Sequence, residues 1–387
     1  MRILHTGDWH LGRTLLGADL LDHQAAFADF LVDTVHERDV DLVVIAGDVY
    51  DRAIPPVDAV RLLSRTLERL AGLATVVLTP GNHDSAARLG FGAGVMGDRL
   101  RILAEPAGIA DPVLLDDGDG PVAVYGIPYL HPDLTRYALA DVPDEPLARS
   151  HHAVLGAAMD RVRADLGARP GTRSVVVAHA FVGGADPSDS EQDIRVGGVD
   201  RVPEAVFDGI DYVALGHLHG PQQVGTSGRI RYAGSPLAFS FGERRQRKSV
   251  TLVDLAADGT VAAEQVPAPV PRRLVDVRAS IDEIESGVHR SDADAWVRVA
   301  VTDAVHPERM YARVKDHFPH ALAITYEPDA APDRPTARAV TATSDPVEVS
   351  ADFVTFATGV APDDDELAVL TDAYESAVAA LQREGAR

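Results

Sequence analysis

The chain has 387 residues, 46% of them apolar, with 59 acidic against 36 basic side chains, a formal net charge of −23 and no cysteine. That length predicts one large domain with one or two small ones, and the missing thiols exclude disulfides and thiolate metal sites, so any metal is left to His, carboxylate or amide. The acidity argues against nucleic acid, whose phosphates call for Lys and Arg, but it is uneven: "GERRQRK" (242–248) is a basic island and "APDDDE" (361–366) an acidic one.

From the N-terminus, "MRILHTGDWH" has no apolar h-region and no stretch approaches the length of a membrane span, so the expectation is a cytoplasmic protein without membrane contact. Short β-branched runs follow at 2–6, 41–47, 74–80, 122–128, 173–179, 211–217, 230–234 and 249–255. Helical spacing fills the stretches around 23–39 and 57–72, with Ala59, Leu62, Leu63, Leu67 and Leu70 on one side. This alternation predicts an α/β domain, layered αββα around buried strands, whose last two runs form a terminal hairpin or meander. "QVPAPVPRRL" (265–274) reads as a linker, since alternate prolines favour extended chain. Beyond it a small strand–helix–strand unit is expected over 294–328, then a loop over 327–338. Last comes a helical tail from Asp352, striped by Leu367, Leu370, Tyr374, Val378 and Leu381. That stripe serves equally for packing on its own domain or for docking on a partner.

The chemistry sits at strand ends. "HTGDWH" places Asp8 and His10 past the first run, "IAGDVYD" places Asp48 past the second, and "TPGNHD" places Asn82 and His83 past the third. "VVVAHA" ends on His179, and "VALGHLHG" ends on His217 and His219. Ligands of open α/β sheets bind outside the carboxyl ends of strands, and extended backbone projects residues i and i+2 to one side, so Asp8 with His10 and His217 with His219 are expected to aim together. Two carboxylates, four or five imidazoles and one amide oxygen suffice for two ions sharing a carboxylate; such an N/O set suits Mn, Fe or Zn better than Mg. A spare imidazole would serve as general acid. Any one of these residues alone reads as a turn or solvent group; His5, Asp51 and Asp84 stay in that class, and His151 and His152 read as surface. "GADPSDSEQD" (184–193) reads as a mobile loop or a substrate contact, and "GERRQRK" equally as a solvated edge or a phosphate-tracking segment.

The ordered set "GDWH", "GD", "GNHD", a lone His and "GHLH" resembles the calcineurin-like metallophosphoesterase superfamily. "ILHTGDWHLGRTL", "SDSEQDIRVGGVDRVP", "FDGIDYVALGHLHGPQ" and "YAGSPLAFSFGERRQRKSVTLVDL" are further similar to the SbcD-type nuclease subunits of bacterial double-strand-break repair complexes, over about residues 1–256. The resemblance implies a four-layer nuclease domain over 1–265, a DNA-capping domain over 272–345 and C-terminal helices over 350–387 that bind an SbcC-type coiled-coil ATPase. It also implies that Asp8, His10, Asp48 and His219 hold one Mn ion and that Asp48, Asn82, His179 and His217 hold the second. His83 acts on the scissile phosphate or the leaving group. Ser235, Arg244, Arg245 and Lys248 lie near DNA, and helices around 54–70 and 91–99 build a homodimer within a heterotetramer. Some relatives carry His where Asp51 stands, so a second catalytic imidazole is not expected here. The function so implied is Mn-dependent exonuclease and endonuclease action on DNA; the alternative is a stand-alone phosphatase or phosphodiesterase of the same superfamily.

Overall fold

The computed structural model describes residues 1–142, 144–188, 190–191, 202–329 and 344–384. Parts of the expected loops at 184–193 and 327–338 lie outside these residues, as does most of "SDSEQDIRVGGVDRVP". The chain divides into two compact units, Met1–Val275 and Asp276–Arg387.

In the first unit the elements run β1 (Arg2–Thr6), α1 (Leu21–Glu37), β2 (Leu42–Ala46), α2 (Val57–Leu73), β3 (Thr75–Thr79), β4 (Leu100–Ile102), β5 (Val113–Asp116) and β6 (Pro121–Ile127). They continue with α3 (His151–Gly167), β7 (Arg173–His179), β8 (Tyr212–Gly216), β9 (Gln222–Val224), β10 (Ile230–Tyr232), β11 (Ser249–Leu255) and β12 (Val261–Pro267). One sheet has the order β12-β11-β1-β2-β3-β4 and the other β9-β10-β8-β7-β6-β5. Strands β1 to β4 are mutually parallel, as are β6, β7, β8 and β10; β11, β12, β5 and β9 run antiparallel to their neighbours.

Period-2 alternation explains why the central strands are apolar throughout. In β2, Val43 and Ile45 pack with Leu31 and Val35 of α1 and Leu63 and Leu70 of α2, while Leu42, Val44 and Ala46 turn the other way. There they meet Val175 and Val177 of β7 and Tyr212 and Ala214 of β8. On the far side, Val176, Val213 and Leu215 pack under Val154, Ala158 and Val162 of α3, whose N-terminus Ser150 caps by accepting from Ala153 N–H. The result is four layers, αββα. At the sheets' interface His5 is fully buried, accepting from the Tyr212 hydroxyl at Nδ1 (2.8 Å) and donating from Nε2 to the Leu215 carbonyl (3.1 Å). It is a satisfied core residue rather than the turn or solvent group its sequence position suggested.

Two expectations need correction. The runs at 230–234 and 249–255 are not a hairpin: β10 pairs with β8 in one sheet and β11 with β1 in the other. The segment "AGSPLAFSFGERRQRK" therefore crosses between sheets, and the true hairpin is β11–β12, which the alternating "VAAEQVP" did not announce. His151 is buried against Tyr129, ring centroids 5.7 Å apart, not a surface group.

In the second unit, β13 (Leu274–Ala279), β14 (Trp296–Val301) and β15 (Ala321–Tyr326) form a three-stranded sheet, with α4 (Ile281–Glu285) and α5 (Met310–His317) between them in sequence. Strands β14 and β15 are parallel, as a strand–helix–strand crossover requires. The chain then gives α6 (Pro346–Thr358) and α7 (Asp364–Glu384). Among the described residues no helix is long and apolar enough to cross a membrane.

Candidate metal centre

Past the ends of β1 and β2 the backbone stays paired but leaves the strand conformation. Asp8 N–H donates to the Gly47 carbonyl (3.0 Å) and His10 N–H to that of Asp48 (2.9 Å). Asp8, His10 and Asp48 all have φ between 44° and 51°, and His217 has φ 111°, a region that non-glycine residues rarely occupy. The i, i+2 pairs thus owe their placement to left-handed turns, not to the extended backbone inferred from the sequence. Between Asp8 and His10, Trp9 turns into the helix-side core, where its indole N–H meets Thr6 Oγ1 (2.9 Å). Backbone strain of this kind, repeated at four residues of one cluster, marks a site whose geometry is over-determined by its surroundings.

The predicted side chains gather about Asp48. His10 Nε2 lies 3.6 Å and His179 Nε2 3.5 Å from Asp48 Oδ2. His10 and His219 face each other, Nε2 to Nε2, at 3.2 Å, and His179 Nε2 lies 2.9 Å from Asn82 Oδ1. The His217 ring stands 5.4 Å from that of His179, and its N–H donates to Asp8 Oδ1 (2.8 Å). Among the described residues two triads have ligand atoms within 4.8 Å of one another: His10, Asp48 and His83; and Asp8, Asp48 and His179. Asp48 belongs to both. His83 stands beside them, its ring 4.7 Å from that of His10, and is fixed by two bonds, its N–H to Asp48 Oδ1 (2.9 Å) and its Nδ1 to the Asp51 carbonyl (2.9 Å).

Proton bookkeeping shows what such a cluster needs. A carbonyl only accepts, so His179 Nδ1, 3.0 Å from the Ala46 carbonyl, carries the proton, and its Nε2 presents a lone pair to the Asn82 oxygen. Ser190, which donates to Glu243, takes the proton of His219 Nδ1 (2.6 Å), so His219 Nε2 is also a lone pair; Asp51 lies 3.5 Å from His10 Nδ1, a charge contact that makes no hydrogen bond. Asp8 Oδ2 is buried with no hydrogen-bond partner. Lone pairs converging on lone pairs in a dry site are unfavourable unless a cation lies among them, and this donor set fits two divalent ions.

Charge states agree. Burial holds His10 near 4 and His217 near 3 and lowers His179, so all three are neutral at neutral pH, the form that ligates. Burial would raise the Asp48 carboxyl, but His179, His10 and His83 outweigh it and hold it well below the usual range. Burial, then Asp48, push Asp8 well above it.

Several groups at the site carried no signal in the sequence. Asp84 accepts from the N–H groups of Val49, Tyr50 and Gly81, and so fixes the "GD" and "GNHD" loops to each other. Asp51 stands behind His10 and Arg13, and Arg13 lies over the Phe239 ring at 4.8 Å. Ser190, of the polar loop, bonds His219 Nδ1 (2.6 Å), and Glu191 accepts from His219 N–H (2.7 Å). In the sequence both fall in the loop read as mobile or as a substrate contact, with no sign that they support a histidine.

The expected DNA contacts divide. Arg244 and Arg245 lie in a short 3-10 turn, Phe241–Arg245, and both are exposed. Ser235 and Lys248 are corrected: both are buried, and Lys248 Nζ donates to the His219 carbonyl (2.9 Å), Ser235 Oγ (2.8 Å), Gln246 Oε1 (2.7 Å) and the Glu243 carboxylate. An ammonium with that many acceptors inside the fold is not offered to a phosphate.

The model of the calcineurin-like phosphoesterase family matches residues 1–221. Among solved structures, the protein TT1561 of Thermus thermophilus is similar over 68% of this chain and 98% of its own, at 12% identity and a TM-score of 0.38, a likeness too distant to carry functional detail. The family match covers more than half of the 387 residues and every residue of the cluster about Asp48, so the chain belongs to the calcineurin-like phosphoesterase family.

Proposed function

We propose that this phosphoesterase is a Mn-dependent DNA nuclease subunit of the SbcD type, working with an SbcC-type coiled-coil ATPase on double-strand ends and hairpins. The observation that carries the hydrolytic reading is the convergence of the ring nitrogens of His10, His219 and His179 and the Asn82 oxygen around the shared Asp48. Asp8, His10, Asp48 and His219 would hold one ion, and Asp48, Asn82, His179 and His217 the other. When bound, the ions supply Lewis acidity that activates water and offsets charge building on the phosphoryl oxygens.

The chain's own groups do the rest. The Ala46 carbonyl and Ser190, backed by Glu243, keep protons on the outer nitrogens of His179 and His219, leaving the inner ones to bind, and the nearby Asp51 carboxylate favours the same at His10. His83 donates from Nδ1 to the Asp51 carbonyl, which leaves Nε2 as the atom to act; as the imidazolium it would hand the Nε2 proton to the departing oxygen and be left neutral. Phe239 covers the outer face of His10 and His219, ring centroids 5.2 and 5.4 Å away, and keeps bulk water from them.

The nuclease subclass is supported by the ordered motifs and by what the surface exposes. Ile54, Val57, Val60, Phe91 and Val95 present apolar area around α2 and the segment after Asn82, suited to a homodimer. Phe353, Val360, Val369 and Tyr374 do so on α6, α7 and their link, suited to a coiled-coil partner. The inward Lys248 and the net charge of −23 favour the second reading, a free-standing phosphodiesterase or phosphatase. Linear duplex DNA and a small phosphodiester, each offered to the full chain with Mn²⁺ beside a His83→Gln control, separate the two. Cleavage of duplex, lost in the variant and raised by the ATPase partner, supports the nuclease. Turnover of the small ester alone, with no DNA cleavage even when the partner is present, moves the assignment to the second reading.

A further inference from the structure

The basic island reads from the sequence as a surface feature, yet the one acid within it is fully enclosed beside the metal cluster. The side chain of Glu243 has no exposed area, and the two oxygens do different things. Oε2 takes the Lys248 ammonium. Oε1 takes the Phe239 N–H (3.1 Å) and the Ser190 hydroxyl, whose oxygen in turn accepts from His219 Nδ1 (2.6 Å), so the carboxylate, itself 3.4 Å from that nitrogen, governs the ring chiefly through Ser190. Lys248 in turn holds the His219 carbonyl, so the same pair grips His219 by ring and by backbone.

We infer that Glu243 is a positioning residue for the ion that His10 and His219 share: it fixes the Nδ1–H tautomer of His219, and Lys248 is the counter-charge that lets a carboxylate do so in a dry interior. A bare carboxylate buried there would carry a prohibitive desolvation cost, and a bare ammonium likewise; together they are tolerated. The inference rests on the two-metal reading, because tautomer matters only if Nε2 must ligate. It also predicts an asymmetry. The half-site of Asn82, His179 and His217 takes its orientation from the Ala46 carbonyl and makes no use of Glu243.

The informative substitution is Glu243→Gln. Lys248 donates only, so it claims the amide oxygen and turns the amide NH₂ toward His219. Ser190 Oγ then accepts from the amide and turns its own proton to Nδ1, which must accept, and the ring proton moves to Nε2, the ligating atom. Mn²⁺ titration of the purified full chain, by calorimetry with electron paramagnetic resonance of the free ion, reads both sites. Spectra of ¹⁵N-histidine-labelled, metal-free protein read the tautomer. The expected result is one site weakened about 10- to 100-fold, as for the loss of other partners of ligating histidines, the second site unchanged, and the His219 proton moved to Nε2. Ser190→Ala, which removes the hydroxyl between Glu243 and His219 Nδ1, weakens the same site and leaves the second unchanged. Two wild-type sites left unchanged in Glu243→Gln would overturn the inference, as would equal weakening of both with an unaltered tautomer. A wild-type chain that binds no Mn²⁺ would overturn the two-metal reading itself, and the inference with it.

Discussion

The carbonyl oxygen of Ala46, the last residue of β2, lies 1.7 Å from where a β-carbon on Gly216, the last residue of β8, would stand. The two sheets therefore touch backbone to backbone at the floor of the metal centre, and the carbonyl that forbids a side chain on Gly216 is the one that accepts from His179 Nδ1. Gly216→Ala must push the sheet ends apart. The expected cost exceeds the ~1–3 kcal/mol usual for overpacking, read as a lower denaturation midpoint, and Mn²⁺ binding weakens with it because His179 loses its anchor.

Asp8 should trade stability for metal. Its Oδ2 is buried and unpartnered, and the carboxylate shares a dry space with Asp48. Without a cation that repulsion is uncompensated. Asp8→Asn keeps the oxygen that accepts from His217 N–H and removes the charge. The metal-free variant is expected to melt above the metal-free wild type. Wild type should gain about 2.7 kcal/mol from each ion at a hundredfold excess over Kd, and the variant much less. Melting curves in chelator and in Mn²⁺, for both proteins, check the crossing.

His83→Gln should separate chemistry from binding. The glutamine can keep a bond to the Asp51 carbonyl but has no proton of suitable acidity to give. A fall in kcat of about 10²–10⁴, with Mn²⁺ affinity held within a few-fold, is the signature of a proton donor. Loss of Mn²⁺ affinity in step with kcat would instead place His83 among the ligands, as its proximity to His10 and Asp48 also allows.

The strands of both sheets' centres were legible because burial on both faces leaves nothing but β-branched runs, and "LVVIA" matches β2 residue for residue. The cluster was legible because its members end five separate strands. What stayed hidden has common causes. Strands β9 and β12 are edge strands, and edges carry mixed patterns; Asp84, Asp51 and Glu243 act through backbone amides or behind a histidine, roles that any turn acid might fill. The carboxylate of Glu243 was masked by its neighbours: in "GERRQRK" the eye counts four cations, and only the fold shows that Lys248 turns inward.

His5 should make stability fall with acidity in a defined window. Burial holds its imidazole near 3 in the fold, against about 6.5 when unfolded. Between those values the unfolded chain binds the proton and the folded chain does not. The stability that neutral His5 provides is thus complete above about pH 6.5 and is lost progressively as the pH drops toward 3. His5→Gln can accept from Tyr212 and donate to the Leu215 carbonyl without titrating. Its stability against pH should be shallower by about 1.4 kcal/mol per pH unit within that window, and parallel to wild type above it. Curves from urea denaturation at stepped pH, parallel throughout, would refute this.

At the opposite end of the sheets from the metal centre, Arg173 and Asp117 form a second clasp. Arg173 begins β7 and is only 5% exposed; it pairs with Asp117, which follows β5, and donates to the carbonyls of Leu255 (3.2 Å) and Gly120 (2.7 Å). Leu255 ends β11, so one guanidinium spans both sheets. The Arg173 bond holds the Asp117 carboxyl well below the usual range. Its contribution is therefore present above about pH 3.9, the unfolded value, and lost below it. Asp117→Asn leaves a buried guanidinium with carbonyls alone and should cost about 3–5 kcal/mol. Replacing both partners, Asp117→Leu with Arg173→Met, should recover the share owed to Arg173, because that cost lies in its stranded charge; the buried Met1 ammonium, which Asp117 also pairs, keeps the rest of the loss. Denaturation of the two variants beside wild type decides it: a double variant no more stable than the single would mean that the geometry of the clasp, and not its charge balance, holds this end of the sandwich closed.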